Sequence, residues 1–405
     1  MIISISQEKK DSFNRILEEL ARELGITKTQ FGNLERSYKA VGKCLNDDEN
    51  LKGFDVNVYP QGSFRLGTII QPINEDDDLD IDLVCRLTNK PLYWTQKDLK
   101  ESIGNVLKAN AMYSKMIKEK DGGRRCWTLL YRENNPDEKY HLDVLPAVVD
   151  KERIIVIDEM ARQEYNYENV QKSAIRITDK EAKNYATDYN SSNWLKSFPD
   201  GYAAWFASRC KMIGQSQILT EAVAPVGKYI EKKTVLQKAI QILKRHRDVM
   251  FRGDDDKPIS IIITTLASLA YCGETTLLDA LVRIVFEMEL NIKRFGSVDW
   301  IGNPVNPEEN FADKWPGAPQ KRANFYKWLE SLKKDVQTLL TLEGRDRIYK
   351  FISDKFGERV TKALLENMGL SMKKNFDSGN VRISKTGTIG AIGGLASYGH
   401  TFYGS

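Results

Sequence analysis

The sequence lacks a long apolar run, and this absence limits where the protein can reside. The longest nearly apolar stretch among the 405 residues is residues 259–272, and four hydroxyl side chains interrupt it. A membrane-spanning helix needs about 20 predominantly apolar residues, so we expect none here. The first residues become charged before the apolar core of a signal peptide could form, which predicts a chain without a secretory signal.

The sequence also lacks a dominant charge sign and a recognisable cysteine pattern. Sixty Lys and Arg residues stand against 56 Asp and Glu, which leaves a formal charge of +4 and gives no strong sign of nucleic-acid binding. The five cysteines are far apart and form no CxxC pair, and there are only three histidines, so we expect no zinc site. Scattered cysteines are typical of a reducing cytosol, which predicts a cytoplasmic protein.

The hydrophobic periodicity changes along the chain and divides it into three parts. Apolar residues at helical spacing predict helices over residues 7–24 and 27–45. Strict alternation predicts a strand over residues 79–85, and the segments 125–131, 140–149 and 154–157 are also strand-like. Helices are then predicted over residues 200–212, 234–251, 258–273, 276–292 and 321–370. We therefore expect an α+β lobe over residues 1–165, a helical lobe over residues 166–380, and a flexible glycine-rich tail over residues 381–405.

Two carboxylates share one face of the strand predicted over residues 79–85. Side chains at positions i and i+2 of a strand lie on the same face, so Asp80 and Asp82 project together while their apolar neighbours cover the core side. Asp78 offers a competing register for this pair. A third carboxylate, Asp143, lies on the strand predicted over residues 140–149. Neighbouring carboxylates repel unless a cation lies between them, and three of them can hold two Mg²⁺ ions about 3.5–4 Å apart.

A glycine and a serine precede these carboxylates in the sequence. Gly62 lets the backbone approach a ligand closely, and the Ser63 hydroxyl with nearby backbone N–H groups can hold the phosphates of a nucleotide. Alone, a Gly-Ser pair is usually an ordinary turn, and an acidic run is usually a solvated strand edge. The combination of Gly-Ser, an alternating acidic strand and a later acidic strand is far more specific, and it is the pattern of nucleotidyltransferases related to DNA polymerase β.

The resemblance extends to a narrower family, the bacterial CD-NTases. These cyclic GMP-AMP synthase-like nucleotidyltransferases belong to CBASS anti-phage systems. The segments that carry the resemblance span roughly residues 40–320, and they are residues 61–63, 79–83, 141–147, 194–202, 236–248, 259–265 and 303–315.

The resemblance implies a fold, an activity and a set of site residues. The fold is a polymerase-β-like palm, a mixed sheet with helices, and a C-terminal helical lobe that resembles oligoadenylate synthase. The activity is Mg²⁺-dependent joining of nucleoside triphosphates, ATP or GTP among them, into a cyclic di- or trinucleotide with release of pyrophosphate. Two Mg²⁺ ions, with Mn²⁺ as an alternative, would be held by Asp80, Asp82 and Asp143, which are the predicted catalytic residues.

The nucleotide would contact both lobes. Gln61, Gly62 and Ser63 would hold the donor triphosphate, and Lys244 and Ser260 are the candidates on the helical lobe because related enzymes place a lysine and a serine at about this point. The alternative for Lys244 is a solvated basic helix end. His246 is expected to be structural, because metal-assisted transfer needs no histidine.

The tail adds a further expectation from the same resemblance. Some CBASS systems encode a ubiquitin-transfer-like enzyme that conjugates the C-terminal glycine of the synthase to other molecules, and Gly404 is the candidate glycine. The last residue is Ser405, so either Ser405 is removed first or Gly404 is not the conjugation point. A terminus without function is the alternative.

Two other functions stay open at this point. The chain could be an RNA-extending nucleotidyltransferase, although the charge of +4 does not suggest the basic surface that RNA would need. It could also be an inactive scaffold that binds a partner, although three convergent carboxylates buried without metal would destabilise such a fold. The bases, ring size and linkage of the product, any activating signal and the oligomeric state are not predicted.

Overall fold

A computed structural model gives the fold of the chain. It describes residues 6–74, 78–131, 139–150, 174–211, 229 and 232–377, together with three pairs of residues at 382–383, 389–390 and 395–396. The predicted boundary near residue 165 and most of the predicted tail, Gly404 included, lie outside the described residues, so both stay predictions.

A mixed sheet forms the centre of the N-terminal lobe. Its strands are β1 (Val56–Pro60), β2 (Leu79–Leu87), β3 (Trp127–Tyr131), β4 (Tyr140–Val149), β5 (Ile175–Ile177) and β6 (Leu195–Ser197). They follow the order β1-β2-β4-β5-β6, and β3 also pairs with β4. Only β2 and β4 run parallel in this sheet; the other described pairs are antiparallel. The strands predicted over residues 79–85, 125–131 and 140–149 are confirmed, and the one predicted over residues 154–157 lies outside the described residues.

Two N-terminal helices pack on different cores. Helix α1 (Gln7–Leu24) begins at the cap residue Ser6, and α2 (Lys28–Asn46) begins with a capping box between Thr27 and Gln30, the arrangement that satisfies free N–H groups at a helix start. The apolar face of α1 joins the core of the helical lobe, whereas that of α2 joins the core under the sheet. Helix α1 therefore ties the two lobes together.

Short helices complete the N-terminal lobe, and longer ones build the second lobe. The helices of the N-terminal lobe are α3 (Gly62–Arg65), α4 (Gln96–Ala109) and the 3₁₀ turns Lys52–Phe54, Tyr113–Lys115 and Ser191–Asn193. The helices of the second lobe are α5 (Pro199–Cys210), α6 (Val235–Met250), α7 (Ser260–Ala270), α8 (Leu277–Glu287), the 3₁₀ turn Met288–Asn291, α9 (Pro319–Thr341), α10 (Arg345–Phe356) and α11 (Glu358–Asp377). The predicted α+β class is confirmed.

The helix predicted over residues 321–370 is wrong in one respect, because it is three helices. Breaks fall at Gly344 and Gly357, whose φ angles are +84° and +99°. A helix cannot continue through residues in this region, and glycine is the residue that adopts it most readily. The apolar period runs on across both breaks because the apolar faces of all three helices are buried in the same core.

Small strands lie outside the main sheet. β7 (Lys293–Phe295) pairs with β8 (Val298–Trp300), and β9 (Gly302–Asn303) pairs with β10 (Asn306–Asn310). In the predicted tail, the two-residue strands β11 (Arg382–Ile383), β12 (Ile389–Gly390) and β13 (Leu395–Ala396) pair antiparallel. None of the helices in the described part of the chain has the length and apolarity that a bilayer crossing demands.

Candidate active site

The pairing of β2 with β4 places the predicted carboxylates side by side. In this parallel pair Asp82 lies directly opposite Asp143, and Asp80 lies opposite His141. Leu79, Ile81 and Leu83 alternate with the two aspartates and are buried in the core beneath the sheet. The apolar side chains therefore fix the register, and the register brings the carboxylates of two distant segments to one face.

The Gly-Ser segment lies at the edge of the same carboxylate pair. β1 ends at Pro60 opposite Leu83, and the Gln61 N–H donates to the Asp82 carbonyl at 2.8 Å. Gly62 then turns the chain with φ of +61°. A Cβ atom at this position would collide with the Asp82 carboxylate, so both the backbone conformation and the close approach require glycine.

The turn that follows Gly62 is anchored on both sides. Its single helical turn, α3, ends with Arg65, which forms an ion pair with Asp200 at the start of α5. The guanidinium also lies over the Tyr59 ring, 5.7 Å from its centroid. Because Asp200 belongs to the helical lobe, this pair holds the predicted phosphate-binding turn against the second lobe.

The electrostatics of the carboxylates are unfavourable as they stand. Burial, together with the charges of Asp143 and Asp80, raises the pKa of Asp82 to about 7. Burial also raises the pKa of Asp143, although a hydrogen bond from the Thr128 hydroxyl opposes the effect. Asp80 is different: its side chain is 78% exposed, and one oxygen lies 3.3 Å from Nδ1 of His141. Asp78, the competing register, also contacts His141 and does not line the site.

The three aspartates suit a divalent cation both in the type of ligand atom and in charge. In the ranges that the structure describes, no group of three or more Asp, Glu, His or Cys side chains lies close enough together to hold a metal ion. All three are hard oxygen donors, however, which Mg²⁺ prefers, and a cation between them would relieve the repulsion that raises the pKa of Asp82. The residues present therefore fit the metal that the resemblance implies.

A cavity of about 460 Å³ opens over these residues. It brings together seven of the predicted site residues, namely Gly62, Ser63, Asp80, Asp82, Asp143, Lys244 and Ser260. Gln61 lies next to them in the turn. Six other lining residues were not predicted from the sequence, namely Leu66, Lys118, Thr128, His141, Ile261 and Thr264. The alternation of Trp127, Thr128 and Leu129 could have indicated Thr128. Its side chain lies on the face of the strand away from the two buried apolar side chains.

The helical wall of the cavity uses its polar groups to hold the backbone that follows the turn. Side chains at successive turns of α6 donate to carbonyl oxygens of residues 66–72. The donors and acceptors are Gln237 to Leu66 at 2.9 Å, Lys244 to Thr68 at 3.2 Å, Gln241 to Ile69 at 2.6 Å and Arg245 to Gln71 at 2.5 Å. Buried carbonyls need such partners, so this ladder fixes the path from the Gly-Ser turn towards β2.

Lys244 and Ser260 reach the cavity but already have protein partners. The Lys244 ammonium also donates to the Thr68 hydroxyl at 3.1 Å, and burial lowers its pKa to about 7. The Ser260 hydroxyl accepts from Arg247 at 3.1 Å. Lys244 is thus not the solvated helix end considered as an alternative. His246 is buried with Nε2 2.9 Å from the Asp335 carboxylate, as expected of a structural histidine.

Comparison with known proteins is consistent with this geometry. Residues 12–180 match the model of the Second Messenger Oligonucleotide or Dinucleotide Synthetase domain, called SMODS. The chain is 27% identical over 360 residues to a c-di-GMP synthase of Roseivirga ehrenbergii, with 87% of this chain and 86% of that protein covered. It is 22% identical over 377 residues to the cyclic dinucleotide synthase CdnG of Bradyrhizobium diazoefficiens, with 89% of this chain and 85% of that protein covered.

A solved structure shows the same fold. The Bradyrhizobium diazoefficiens CD-NTase CdnG in complex with GTP superimposes with a TM-score of 0.64 at 18% identity, over 87% of this chain and 97% of that one. The matched domain contains the turn and all three carboxylates, and the structural match extends over both lobes. Residues 12–180, with the Gly62–Ser63 turn and all three carboxylates, thus match the SMODS domain model, and the chain has the fold of a solved CD-NTase.

Proposed function

We propose that the protein joins nucleoside triphosphates into a cyclic di- or trinucleotide, releases pyrophosphate, and supplies this product as a second messenger in anti-phage defence. One observation carries the proposal: Asp82 and Asp143 lie opposite each other on parallel strands, and the Gly62–Ser63 turn borders Asp82. The relatives named as cyclic dinucleotide synthases support the same reaction.

The residues of the site divide the chemistry among them. Backbone N–H groups of the Gly62 turn and the Ser63 hydroxyl bind the triphosphate of the donor nucleotide. A ribose hydroxyl of the acceptor attacks the α-phosphorus, the bond to pyrophosphate breaks, and the Asp143 carboxylate accepts the hydroxyl proton. A second transfer of the same kind closes the ring. Nucleoside triphosphates, with ATP and GTP as the first candidates, are the proposed substrates.

We further propose that Asp80, Asp82 and Asp143 hold two Mg²⁺ ions, for which Mn²⁺ can substitute. Bound cations would neutralise the triphosphate and stabilise the attacking and leaving oxygens. The carboxylates themselves would hold the ions at the sheet. The raised pKa of Asp82 supports this proposal, because a site built for cations carries excess negative charge without them.

The test is a product assay with a charge-matched control. Purified protein is incubated with the four α-labelled nucleoside triphosphates and Mg²⁺, treated with phosphatase, and resolved by chromatography and mass spectrometry. A phosphatase-resistant cyclic product is expected, and it should vanish in the Asp80→Asn/Asp82→Asn double variant. The Asp346→Asn/Asp354→Asn variant removes the same charge from the exposed face of α10 and should keep full activity.

Other outcomes of this assay would favour the alternatives. Products that grow linearly on an added RNA would indicate an RNA-extending enzyme. Mg²⁺-dependent nucleotide binding in a calorimeter without any turnover would indicate a scaffold or a synthase that waits for an activating signal. An absence of nucleotide binding would overturn the proposed function.

We propose separately that a ubiquitin-transfer-like enzyme acts on the C-terminal tail at Gly404. Only the resemblance supports this proposal. Intact-mass measurement of the protein isolated from its native host would reveal either loss of Ser405 with an added group or an unmodified chain, and the unmodified chain would contradict it.

A further inference from the structure

Polar side chains form one row across the sheet on the side that faces the cavity. Asp82 of β2 lies opposite Asp143 of β4, and Asp143 lies opposite Thr128 of β3. Beyond β3, the Lys118 N–H donates to the Thr128 carbonyl at 2.9 Å, and Ile117 forms an antiparallel bridge with Leu129. Lys118 is therefore the next residue in the row, and its side chain also lines the cavity.

The two ends of this row differ. The Gly62 turn borders Asp82 at one end, and Lys118 occupies the other end, on the far side of Asp143. Neighbouring strands are about 4.8 Å apart, so the Lys118 backbone lies roughly 10 Å beyond that of Asp143. In an in-line displacement the attacking and leaving oxygens lie on opposite sides of the phosphorus. With the donor triphosphate at the Gly62 turn, the acceptor must therefore approach from the Thr128 and Lys118 end.

Lys118 differs from the other lysine of the cavity. The Lys244 ammonium is buried and donates to Thr68. The Lys118 side chain is exposed, and across residues 6–74, 78–131, 139–150, 174–211 and 232–377 it has neither an ion pair nor a hydrogen bond. Its charge also acts on Asp143. It is thus a cation available to a ligand at the acceptor end of the row.

The acceptor nucleotide carries negative charge that the Lys118 ammonium can bind. In the first transfer the acceptor is a nucleoside triphosphate that attacks through its ribose and keeps its own 5′-phosphates, which need a cation. A lysine ammonium suits this task, because it is a flexible point charge that phosphate oxygens accept from several directions.

We propose that Lys118 binds the 5′-phosphates of the acceptor nucleotide in the first transfer and so makes the enzyme prefer a triphosphate to an unphosphorylated nucleoside as acceptor. This inference rests on the proposed function. It gives the cavity two phosphate-binding ends, with the Gly62 turn for the donor and Lys118 for the acceptor.

A competition within one reaction tests the proposal. The enzyme receives labelled GTP with an equal concentration of guanosine, which can accept but cannot donate, and the ratio of triphosphate-started products to GpG is measured. The same experiment is run with ATP and adenosine. Lys118→Met should lower the ratio about 10-fold or more, the size expected for loss of a hydrogen bond between charged groups. Because both products form in one tube, a general loss of activity does not change the ratio.

Two variants complete the experiment. Lys120→Met removes an equally exposed charge from the same loop and should leave the ratio unchanged, and Lys118→Arg should restore most of it. An active Lys118→Met enzyme with the wild-type ratio would overturn the assignment of Lys118 alone. A wild-type enzyme that forms no joined product with either nucleotide and binds neither of them in the calorimeter would overturn the proposed function and this inference with it.

Discussion

The two walls of the cavity use polar residues in opposite ways. On the sheet wall, Asp80, Asp82, Asp143, Thr128 and Lys118 are placed by strand register and face the open cavity. On the helical wall, the polar side chains of α6 are buried and bonded to the backbone of residues 66–72. The polar groups of the sheet wall thus face the cavity, whereas those of the helical wall hold the turn that is proposed to bind the donor nucleotide. Substitutions on each wall should therefore have different effects.

The largest effect is expected on the sheet wall. Asp82→Asn should lower the rate of pyrophosphate release at least about 1,000-fold, because it removes the carboxylate at the centre of the proposed metal site. The measurement is a coupled pyrophosphate assay, with a circular dichroism spectrum to verify the fold. A variant that retains a tenth of the wild-type rate would show that Asp82 is not a required metal ligand.

Substitution of Gly62 should break the close contact between its turn and the Asp82 carboxylate. Gly62→Ala would place a Cβ against Asp82 in a backbone conformation that disfavours alanine. We expect loss of about 1–2 kcal/mol of unfolding free energy and a fall in kcat/KM of about 10- to 100-fold. Gly32→Ala is the matched control, because it lies within α2 with open space around it, and it should be neutral or stabilising. Equal behaviour of the two variants would contradict the role of the close approach.

On the helical wall the effect should appear in stability first. Gln241→Leu keeps the size of the side chain but removes the donor to the Ile69 carbonyl, which is buried. Loss of about 1–3 kcal/mol of unfolding free energy is expected, measured by urea titration, with a smaller rise in KM for the nucleotide. Gln337→Leu, on the exposed face of α9, is the control. A large loss of kcat without loss of stability would instead assign Gln241 to the chemistry.

A further effect is a pH dependence of the ligand-free protein. The pKa of Asp82 rises from 3.8 to about 7 on folding, so between these values the folded state binds more protons than the unfolded one. Its contribution to stability is therefore largest at low pH and is lost as the pH rises towards 7. Asp82→Asn should remove this dependence and raise the melting temperature at pH 8 more than at pH 5. An equal change at both values would show that Asp82 is not desolvated.

The sequence predicted the sheet wall much better than the helical wall. Asp80, Asp82 and Asp143 were identified because a period of two residues assigns each strand a buried face, and that face determines the register. The long-range bonds of α6 could not be predicted in this way. Gln237 and Gln241 donate to backbone carbonyls more than 160 residues away, and a backbone carbonyl has no signature in the sequence.

Lys118 shows a second limit of sequence analysis. The segment around it has no alternation of its own, and it is placed by a single bridge and two backbone bonds to β3. The breaks at Gly344 and Gly357 were missed for a related reason, because a change of backbone conformation at one residue leaves the apolar period intact. In each case the deciding contact is one that only the folded chain makes.

The crossover between β2 and β4 has a consequence for how such enzymes can diversify. Parallel strands cannot be joined by a tight turn, so the chain leaves β2 after Leu87 and reaches β4 only after it has formed α4 and β3. β2 and β4, which carry the three aspartates, keep their register through their own apolar side chains, whatever the length of this connection. Both Thr128 and Lys118 lie on it. Evolution, or an engineer, can therefore change the residues of the proposed acceptor end while the carboxylates stay in place.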